Sequence, residues 1–200
     1  MDPSFVCQHP VELTIIRNVS AVADNFIVND VNGNLLFKVK DYPVAIHGLR
    51  VLLDRDENPV ITLRKKIMTM HNQWQVFKGE SKEIDNLLYT VKSNSMFKSK
   101  TELDIFLAKK NLNAACDFKV RGNWLERSCE VYAGETSSVI ASMCRKEGVS
   151  KEKDELKITV HSDHDYVYIM ISLVLILDKI DRDNAAAQQG SASADPVGIL

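Results

Sequence analysis

The sequence predicts a mainly β fold, a sandwich or barrel of antiparallel strands, with one fully enclosed apolar segment near the C-terminus. Two observations carry this prediction. Short strand-like runs recur between polar turns from residue 12 to residue 160, and the uncharged run YVYIMISLVLIL occupies residues 166–177. Regular alternation of strand and turn is typical of all-β sandwiches and barrels. With 200 residues, 45% of them hydrophobic, the chain is long enough to form one domain with a sizeable core.

The strand-like segments are bounded by clusters of Asn, Gly, Asp or Lys. They cover residues 12–17, 25–29, 35–40, 50–53, 60–64, 73–77, 87–92, 102–107, 117–121, 125–132, 138–145 and 156–160. The strongest hairpin signal is Asn32-Gly33, between the second and third segments, because this pair accepts positive φ at low cost. Short turns connect these segments, so each is expected to pair with the segments before and after it in the chain. Such pairing is mainly antiparallel.

Three of the segments share a pattern of aromatic, polar, valine and basic residues. FKVK, YTVK and FKVR occupy residues 37–40, 89–92 and 118–121. In a strand, successive side chains point to opposite faces, so the aromatic residue and the valine share one face. The pattern therefore predicts an apolar inner wall and a cationic outer wall.

The uncharged run at 166–177 is too short to span a membrane, which takes about 20 apolar residues. It is apolar on every side, so it is either a central helix wrapped by sheet or a fully buried strand. Its continuation to Arg182 gives a length typical of a helix, and Asp163 and Asp165 precede it as helix-start residues. We predict a helix at about 164–182, in which Ser172 bonds to the carbonyl four residues earlier.

The flanking segments lack core signals. Residues 1–10 are predicted to be a flexible N-terminus, and residues 183–200, which have no aromatic side chain, a disordered tail. The N-terminal residues lack the pattern of a signal peptide, so we expect none, and four cysteines without a C-x-x-C pair fit a reducing compartment. The chain is therefore expected to be intracellular.

No motif in the sequence predicts catalysis or a cofactor. The acidic run Asp54-x-Asp56-x-Asn58 resembles the start of a calcium loop, but Pro59 replaces the required Gly and Lys65 the closing Glu. A hairpin turn is the better interpretation. The histidines are scattered, and no phosphate-binding Gly loop or nucleophile elbow is present. We expect no metal, no cofactor and no enzymatic activity.

Several blocks of the sequence resemble plant LURP-one-related proteins, of the tubby C-terminal-like superfamily that includes phospholipid scramblases. The blocks are NFIVNDVNGNLLFKVK, VLLDRDENPVITLRKK, MHNQWQVFKG, LLYTVK, CDFKVRGNWLERSCEVYAGE and DHDYVYIMISLVLILDKI. The resemblance implies a closed antiparallel β-barrel of about twelve strands over residues 11–182, around a central hydrophobic helix. It also implies a role in plant defence. Scramblases have an acidic calcium segment before the helix, and the two carboxylates of residues 161–165 are few for that role.

Tubby domains bind phosphoinositide headgroups through clustered Lys and Arg, which makes the basic residues here candidates for lipid binding. The candidates are Arg64, Lys65, Lys66, Lys98, Lys100, Lys119, Arg121, Arg145 and Lys146. No motif among them matches the tubby pocket residue by residue. The alternative for any single cluster is a solvated face that protects the sheet from edge pairing.

Three functions follow as hypotheses. The first is reversible docking on phosphoinositide or another anionic membrane lipid. The second is a protein-interaction scaffold in defence signalling, which would use Trp74 and Trp124 if they are exposed. The third, lipid scrambling, fits worst because the hydrophobic segment is short. With a net charge of −2 and no DNA-binding motif, direct nucleic-acid binding is not expected. The expected location is cytoplasmic, peripheral to the plasma membrane, or nuclear.

Overall fold

The computed structural model describes residues 10–18, 25–42, 48–66, 73–94, 100–108, 114–145, 153–161 and 166–192. Within them lie twelve strands, one short 3₁₀ turn and one long helix. The strands are β1 Val11–Asn18, β2 Asn25–Asn29, β3 Leu35–Tyr42, β4 Leu49–Leu53, β5 Pro59–Lys66, β6 Gln73–Lys78, β7 Leu87–Ser93, β8 Thr101–Leu107, β9 Phe118–Asn123, β10 Ser128–Ala133, β11 Val139–Arg145 and β12 Lys153–Val160. The 3₁₀ turn is Ile84–Asn86, and the helix α1 is Val167–Ala192.

The twelve strands form one closed antiparallel barrel. Each strand pairs with its neighbours in sequence, and β1 also pairs with β12, from Val11 opposite Val160 to Asn18 opposite Lys153. Closure leaves no sheet edge open to another chain. The predicted fold, a closed antiparallel barrel of about twelve strands around a C-terminal helix, is confirmed.

The inner and outer walls follow the predicted two-residue alternation. In β9, Phe118 and Val120 are buried against the helix, while Arg121 lies on the outer face and is partly exposed. In β3, Val39 is buried and Lys40 is exposed. The apolar inner wall is what allows an uncharged helix to lie inside the barrel.

The helix α1 fills the lumen of the barrel. Side chains at residues 170–177 are between 0% and 3% exposed, so this part of the helix is buried on all sides. Its side chains join the wall residues in one core cluster. Ser172 donates a hydrogen bond to the Ile169 carbonyl, three residues earlier rather than the predicted four, at 2.7 Å, and its oxygen lies 2.5 Å from the Tyr89 hydroxyl.

The helix ends ten residues later than predicted, at Ala192 instead of residue 182. Residues 183–192 are therefore helical and not part of a disordered tail. The extension contains three consecutive alanines at 185–187, and alanine is the best helix former. The predicted flexible residues 1–9, the helix-start residues Asp163 and Asp165, and residues 193–200 lie outside the described residues.

The segment predicted as a strand at 125–132 begins too early, because residues 124–127 form the turn between β9 and β10. Arg127 has a φ of +54°, a left-handed conformation that ends the turn and starts β10 at Ser128. Trp124 in this turn is 4% exposed and Trp74 is 1% exposed. Both tryptophans are core residues, so the condition under which they would form an interaction surface, exposure to solvent, is not met.

Two hairpin turns use the same side-chain chemistry. Asp54 accepts backbone hydrogen bonds from Asp56 at 2.9 Å and Asn58 at 2.8 Å, and Asp30 accepts the corresponding bond from Asn34 at 2.8 Å. Hydrogen bonds from the Asn58 side chain and backbone lower the pKa of Asp54. The acidic run that resembled a calcium loop is therefore a turn in which the carboxylate binds backbone N–H groups.

The barrel has two chemically different ends. At one end, which we call the exit end, the odd-numbered strands finish, the even-numbered strands begin, and α1 leaves the lumen after Asp183. At the other end, which we call the hairpin end, the described turns 30–34, 54–58, 79–86 and 134–138 connect the strands. The N-terminal turn of α1 lies at the hairpin end, where Tyr168 contacts Phe37 edge to face.

Candidate functional site

Three of the nine predicted basic residues stand directly at strand ends on the rim of the exit end. Lys66 is the last residue of β5, Lys100 directly precedes β8, and Arg145 is the last residue of β11. Lys66 and Lys100 are exposed. The side chain of Arg145 and the whole of Lys98 and Lys146 lie outside the part of the chain that is described.

These three positions lie along one half of the barrel mouth and do not form one pocket. In the barrel order β5 and β8 are three strands apart, and so are β8 and β11, whereas six strands separate β11 from β5 on the other side. Neighbouring strands are separated by about 4.8 Å, so consecutive positions lie about 14 Å apart along the sheet. An arc of this size can face a flat anionic surface at several points at once.

Arg64 and Lys65, next to Lys66, point to opposite sides of the wall. Leu63 is fully buried in the core, so alternation places Arg64 on the outer face and Lys65 on the inner side of the rim. The Nζ atom of Lys65 lies 2.9 Å from a carboxylate oxygen of Asp183 in α1. Of the three consecutive basic residues, Lys66 is the exposed one.

Lys119 and Arg121 lie on the outer wall, where carboxylates surround Lys119. Its Nζ atom lies 2.7 Å from Glu135, 3.5 Å from Asp104 and 3.9 Å from Glu102. The hydrogen bond to Glu135 raises the pKa of Lys119. Arg121 is 3.8 Å from the same glutamate. Because Lys119 is 8% exposed and already neutralised, it is poorly placed to bind a headgroup.

A second set of charges at the exit end joins the wall to the helix, and the sequence did not predict it. We call it the ionic collar. Its members are Arg17, Arg50, Lys65 and Arg127 from the wall and Asp178, Asp181 and Asp183 from α1. These pairs link four parts of the wall to two successive turns of one helix, so they fix the helix at the point where it leaves the barrel.

Arg50 is the most buried member of the collar, with 1% exposure. Its Nη1 donates to the Leu175 carbonyl at 2.7 Å, and its Nη2 lies 3.2 Å from Asp178 and 3.2 Å from Asp41. The guanidinium also lies over the Phe26 ring, 5.1 Å from its centroid. The planar, always charged guanidinium of arginine can make several buried contacts at once, which the compact ammonium group of lysine does less well.

Asp178 is bound from several sides. Arg17 lies 3.1 Å and Arg182 2.5 Å from its carboxylate, in addition to Arg50. Burial raises the pKa of Asp178, and the nearby guanidiniums of Arg50, Arg17 and Arg127 oppose that rise. The carboxylate is 3% exposed, so its ion pairs are screened little by salt.

The other two helix carboxylates are partly exposed. Arg127 lies 3.5 Å from Asp181, with its guanidinium 4.5 Å from the centre of the Trp124 ring. Asp183 binds Lys65 at 2.9 Å and Lys179 at 2.6 Å. Burial alone would raise the pKa of Asp183, but hydrogen bonds from the two lysines lower it below its usual value.

The described turns of the hairpin end are acidic, whereas charges of both signs meet at the exit end, in the ionic collar and at exposed Lys66 and Lys100. Its described turns, together with residues 114–117, contain nine carboxylates and two basic residues. The carboxylates are Asp30, Asp54, Asp56, Glu57, Glu80, Glu83, Asp85, Asp117 and Glu135, and the basic residues are Arg55 and Lys82. The net charge of −2 therefore hides an uneven distribution of charge along the barrel axis.

A shallow groove of about 440 Å³ lies on the outer wall along β3. Its lining holds two lysines and three carboxylates: Lys38 pairs with Glu57 at 3.3 Å, Lys40 lies over Tyr42, and Asp41 and Glu80 are the other two acidic residues. Such a surface has no preference for anions. Among the described residues, no group of three His, Cys, Asp or Glu side chains is placed to hold a metal ion.

These features define an antiparallel β-barrel protein whose lumen is filled by its own C-terminal helix. No helix in the described part of the chain is long and apolar enough to cross a membrane. A family model described as LURP-one-related matches residues 11–178. The chain belongs to the LURP-one-related family.

Individual relatives agree with this assignment. Protein LURP-one-related 15 of Arabidopsis thaliana is 47% identical over 191 residues, which cover 94% of this chain and 88% of that protein. Protein LURP1 of the same plant is 47% identical over 182 residues, 89% and 87% of the two chains. An X-ray structure of an Arabidopsis thaliana protein, 44% identical, covers 90% of this chain and 96% of its own with a TM-score of 0.66.

Proposed function

We propose that this LURP-one-related protein is a non-enzymatic barrel that docks reversibly on anionic membrane lipid, including phosphoinositide, through its exit end. The observation that carries the proposal is the contrast between the two ends: Lys66 and Lys100 are exposed at the exit end, where the helix carboxylates are already paired with cations of the wall, and the described turns of the other end hold nine carboxylates against two basic residues. An anionic surface attracts the first end and repels the second, so the charges both steer the protein and orient it.

The size of the attraction suits reversible binding. Each Lys or Arg near an anionic leaflet contributes about 1 kcal/mol, and the effect decays within about a Debye length of 8 Å in physiological salt. A few basic residues spread around the mouth therefore give binding that depends on lipid composition and on ionic strength. A closed barrel needs no rearrangement to present them.

Flotation with vesicles tests the proposal. Vesicles of phosphatidylcholine, with and without phosphatidylserine or phosphatidylinositol 4-phosphate, are mixed with the full chain at low and physiological salt. The double variant Lys66→Glu, Lys100→Glu should lose at least about 2 kcal/mol of binding, roughly 30-fold in affinity, because two cations are lost and two repelled carboxylates are added. The matched control Lys78→Glu, Lys82→Glu makes the same charge change at exposed positions of the hairpin end.

Two results would remove the proposal. One is equal binding to neutral and anionic vesicles, or none to either, at low salt. The other is an equal loss in the control variant, because binding would then not depend on the exit end.

The role in plant defence is proposed on family resemblance, and it is tested separately. A plant line without this protein should support more pathogen growth than its parent, and a line complemented with the Lys66→Glu, Lys100→Glu variant should resemble the line without it. Unchanged pathogen growth in the line without the protein would count against a defence role while leaving lipid binding intact.

A further inference from the structure

We infer that Lys65 and Lys179 form an anion site at the barrel mouth, that the Asp183 carboxylate occupies it in the free protein, and that a phosphate group of an anionic lipid headgroup displaces that carboxylate. The site rests on the proposed membrane docking, since it lies at the same end of the barrel. It adds a specific ligand group, phosphate, and a built-in competitor.

The geometry is that of two cations on either side of one anion. Lys65 approaches the Oδ2 atom of Asp183 at 2.9 Å, and Lys179 approaches the Oδ1 atom at 2.6 Å. The two ammonium groups thus bind different oxygens of the same carboxylate. A phosphate presents its oxygens in the same way, with greater negative charge and more acceptors.

The two lysines are held in place by the surrounding structure. Lys65 stands on β5 in register with Trp74 of β6, and the stem of Lys179 packs close to Gly48. A β-carbon added at Gly48, which has a φ of +56°, would lie 3.2 Å from the Lys179 Cε atom. The stem is therefore packed, while the ammonium group extends toward the mouth.

The competitor is accessible and weakly held. The side chains of Lys65, Lys179 and Asp183 are 29%, 29% and 32% exposed. Ion pairs at such partly exposed positions are worth little, because water replaces the lost partner. Two cations share one carboxylate, so the three groups together carry one positive charge even when Asp183 is in place.

The exchange does not require the helix to move. Asp178, one helical turn and a half before Asp183, is 3% exposed and is bound by Arg50, Arg17 and Arg182. That buried contact keeps α1 fixed while the Asp183 side chain rotates out to water. The site can therefore open and close by one side-chain movement at the barrel mouth.

The sign of the expected effect separates this site from ordinary surface charge. Asp183→Asn removes the competitor and should raise affinity for phosphatidylinositol 4-phosphate vesicles roughly fivefold or more over the wild type. Asp181→Asn is the matched control, because it makes the same charge change two residues earlier, at a carboxylate that is 33% exposed and pairs with Arg127. It should give a clearly smaller gain.

Two further measurements complete the test. The double variant Lys65→Gln, Asp183→Asn should lose the gain, since the anion then meets one lysine instead of two. Excess soluble inositol trisphosphate should release Asp183→Asn from the vesicles, because the ligand is the phosphate group and not the membrane surface. Circular dichroism confirms that each variant keeps the wild-type fold.

The outcomes are distinct. If the wild type binds anionic vesicles but Asp183→Asn gains no more than Asp181→Asn, this site is refuted and the proposed docking stands. The same holds if the double variant keeps the gain, or if the soluble inositol phosphate does not compete. If neither the wild type nor any variant binds, both the site and the docking are refuted.

Discussion

Replacing Arg50 by methionine tests whether the ionic collar holds the helix in the barrel. Arg50 is 1% exposed and contacts the Leu175 carbonyl, Asp178 and Asp41, each within 3.2 Å. Methionine keeps much of the volume but supplies neither the charge nor the donors. The substitution therefore removes the second, side-chain donor to a helix carbonyl and the cation that two carboxylates share.

The expected loss can be worked out from these contacts. Removing one partner of a buried ion pair costs about 3–5 kcal/mol, because the remaining charge stays buried. Asp178 keeps Arg17 and Arg182, so we expect a value near the lower limit, about 3 kcal/mol. For a chain of this size, 1 kcal/mol lowers Tm by about 2–4 °C, so the Tm of Arg50→Met should fall by roughly 6–12 °C.

The loss of stability and the coupling between the two residues are measured by thermal and urea unfolding of Arg50→Met, Asp178→Asn and the double variant. Because the two residues are in direct contact, their effects should differ from additivity by roughly 0.5–3 kcal/mol. Arg55→Met, in an exposed turn, is the control and should change stability by less than about 0.5 kcal/mol. A loss below about 1 kcal/mol for Arg50→Met, or strict additivity with Asp178→Asn, would refute the collar as the anchor.

Three further predictions concern single positions. In urea unfolding, Ser172→Ala should destabilise the protein by about 1–3 kcal/mol and Tyr89→Phe by about 1 kcal/mol. The first loss is larger because Ser172→Ala leaves the buried Tyr89 hydroxyl without its partner, whereas in Tyr89→Phe the Ser172 hydroxyl still bonds to the Ile169 carbonyl. Equal losses would contradict this assignment of the hydrogen bonds. Gly122→Ala should cost on the order of 3 kcal/mol, since its β-carbon would lie 2.3 Å from a backbone oxygen. Gly33→Ala, with open space around it, should cost about 1 kcal/mol by the same denaturation assay, and a similar loss in both would rule out the clash. Hydrogen bonds lower the pKa of Glu135, so its ion pair stabilises the fold above pH 4.5, the ordinary pKa of Glu, and this stabilisation is lost as pH falls through the depressed pKa. The difference in Tm between the wild type and Glu135→Gln should therefore shrink on acidification. A difference that stays constant with pH would refute this role of Glu135.

Much of the architecture could be predicted because it depends on local patterns. Alternation identified the strands, Asn32-Gly33 identified a hairpin, and the length and uniform apolarity of 166–177 indicated an enclosed helix. These signals need only neighbouring residues. Closure of the barrel came from family resemblance, and the pairing of β1 with β12 was not predicted, since pairing between the two ends of the chain leaves no local pattern.

The collar could not be predicted for the same reason. Arg50 and Leu175 are 125 residues apart in the chain, and Arg50 is the second residue of β4, where a basic residue is also typical of a solvated strand end. The one usable signal was its alternation with buried Leu52, which placed Arg50 on the inner face. Lys119 shows the opposite error: its outer position was predicted, but its neutralisation requires three acidic residues from other parts of the chain.

The helix needs polar contacts because apolar burial alone does not fix its position. Hydrophobic stabilisation has no direction, so an all-apolar rod in an apolar barrel could rotate or slide with little loss of buried area. The Tyr89 and Ser172 hydroxyls set its register inside the barrel, and Arg50 with Asp178 sets it at the exit. Since these contacts hold α1 from within, the partly exposed charges at the mouth are free to exchange partners. Docking on a membrane should therefore leave the far-ultraviolet circular dichroism spectrum unchanged, whereas release of the helix on binding would alter it and contradict this account.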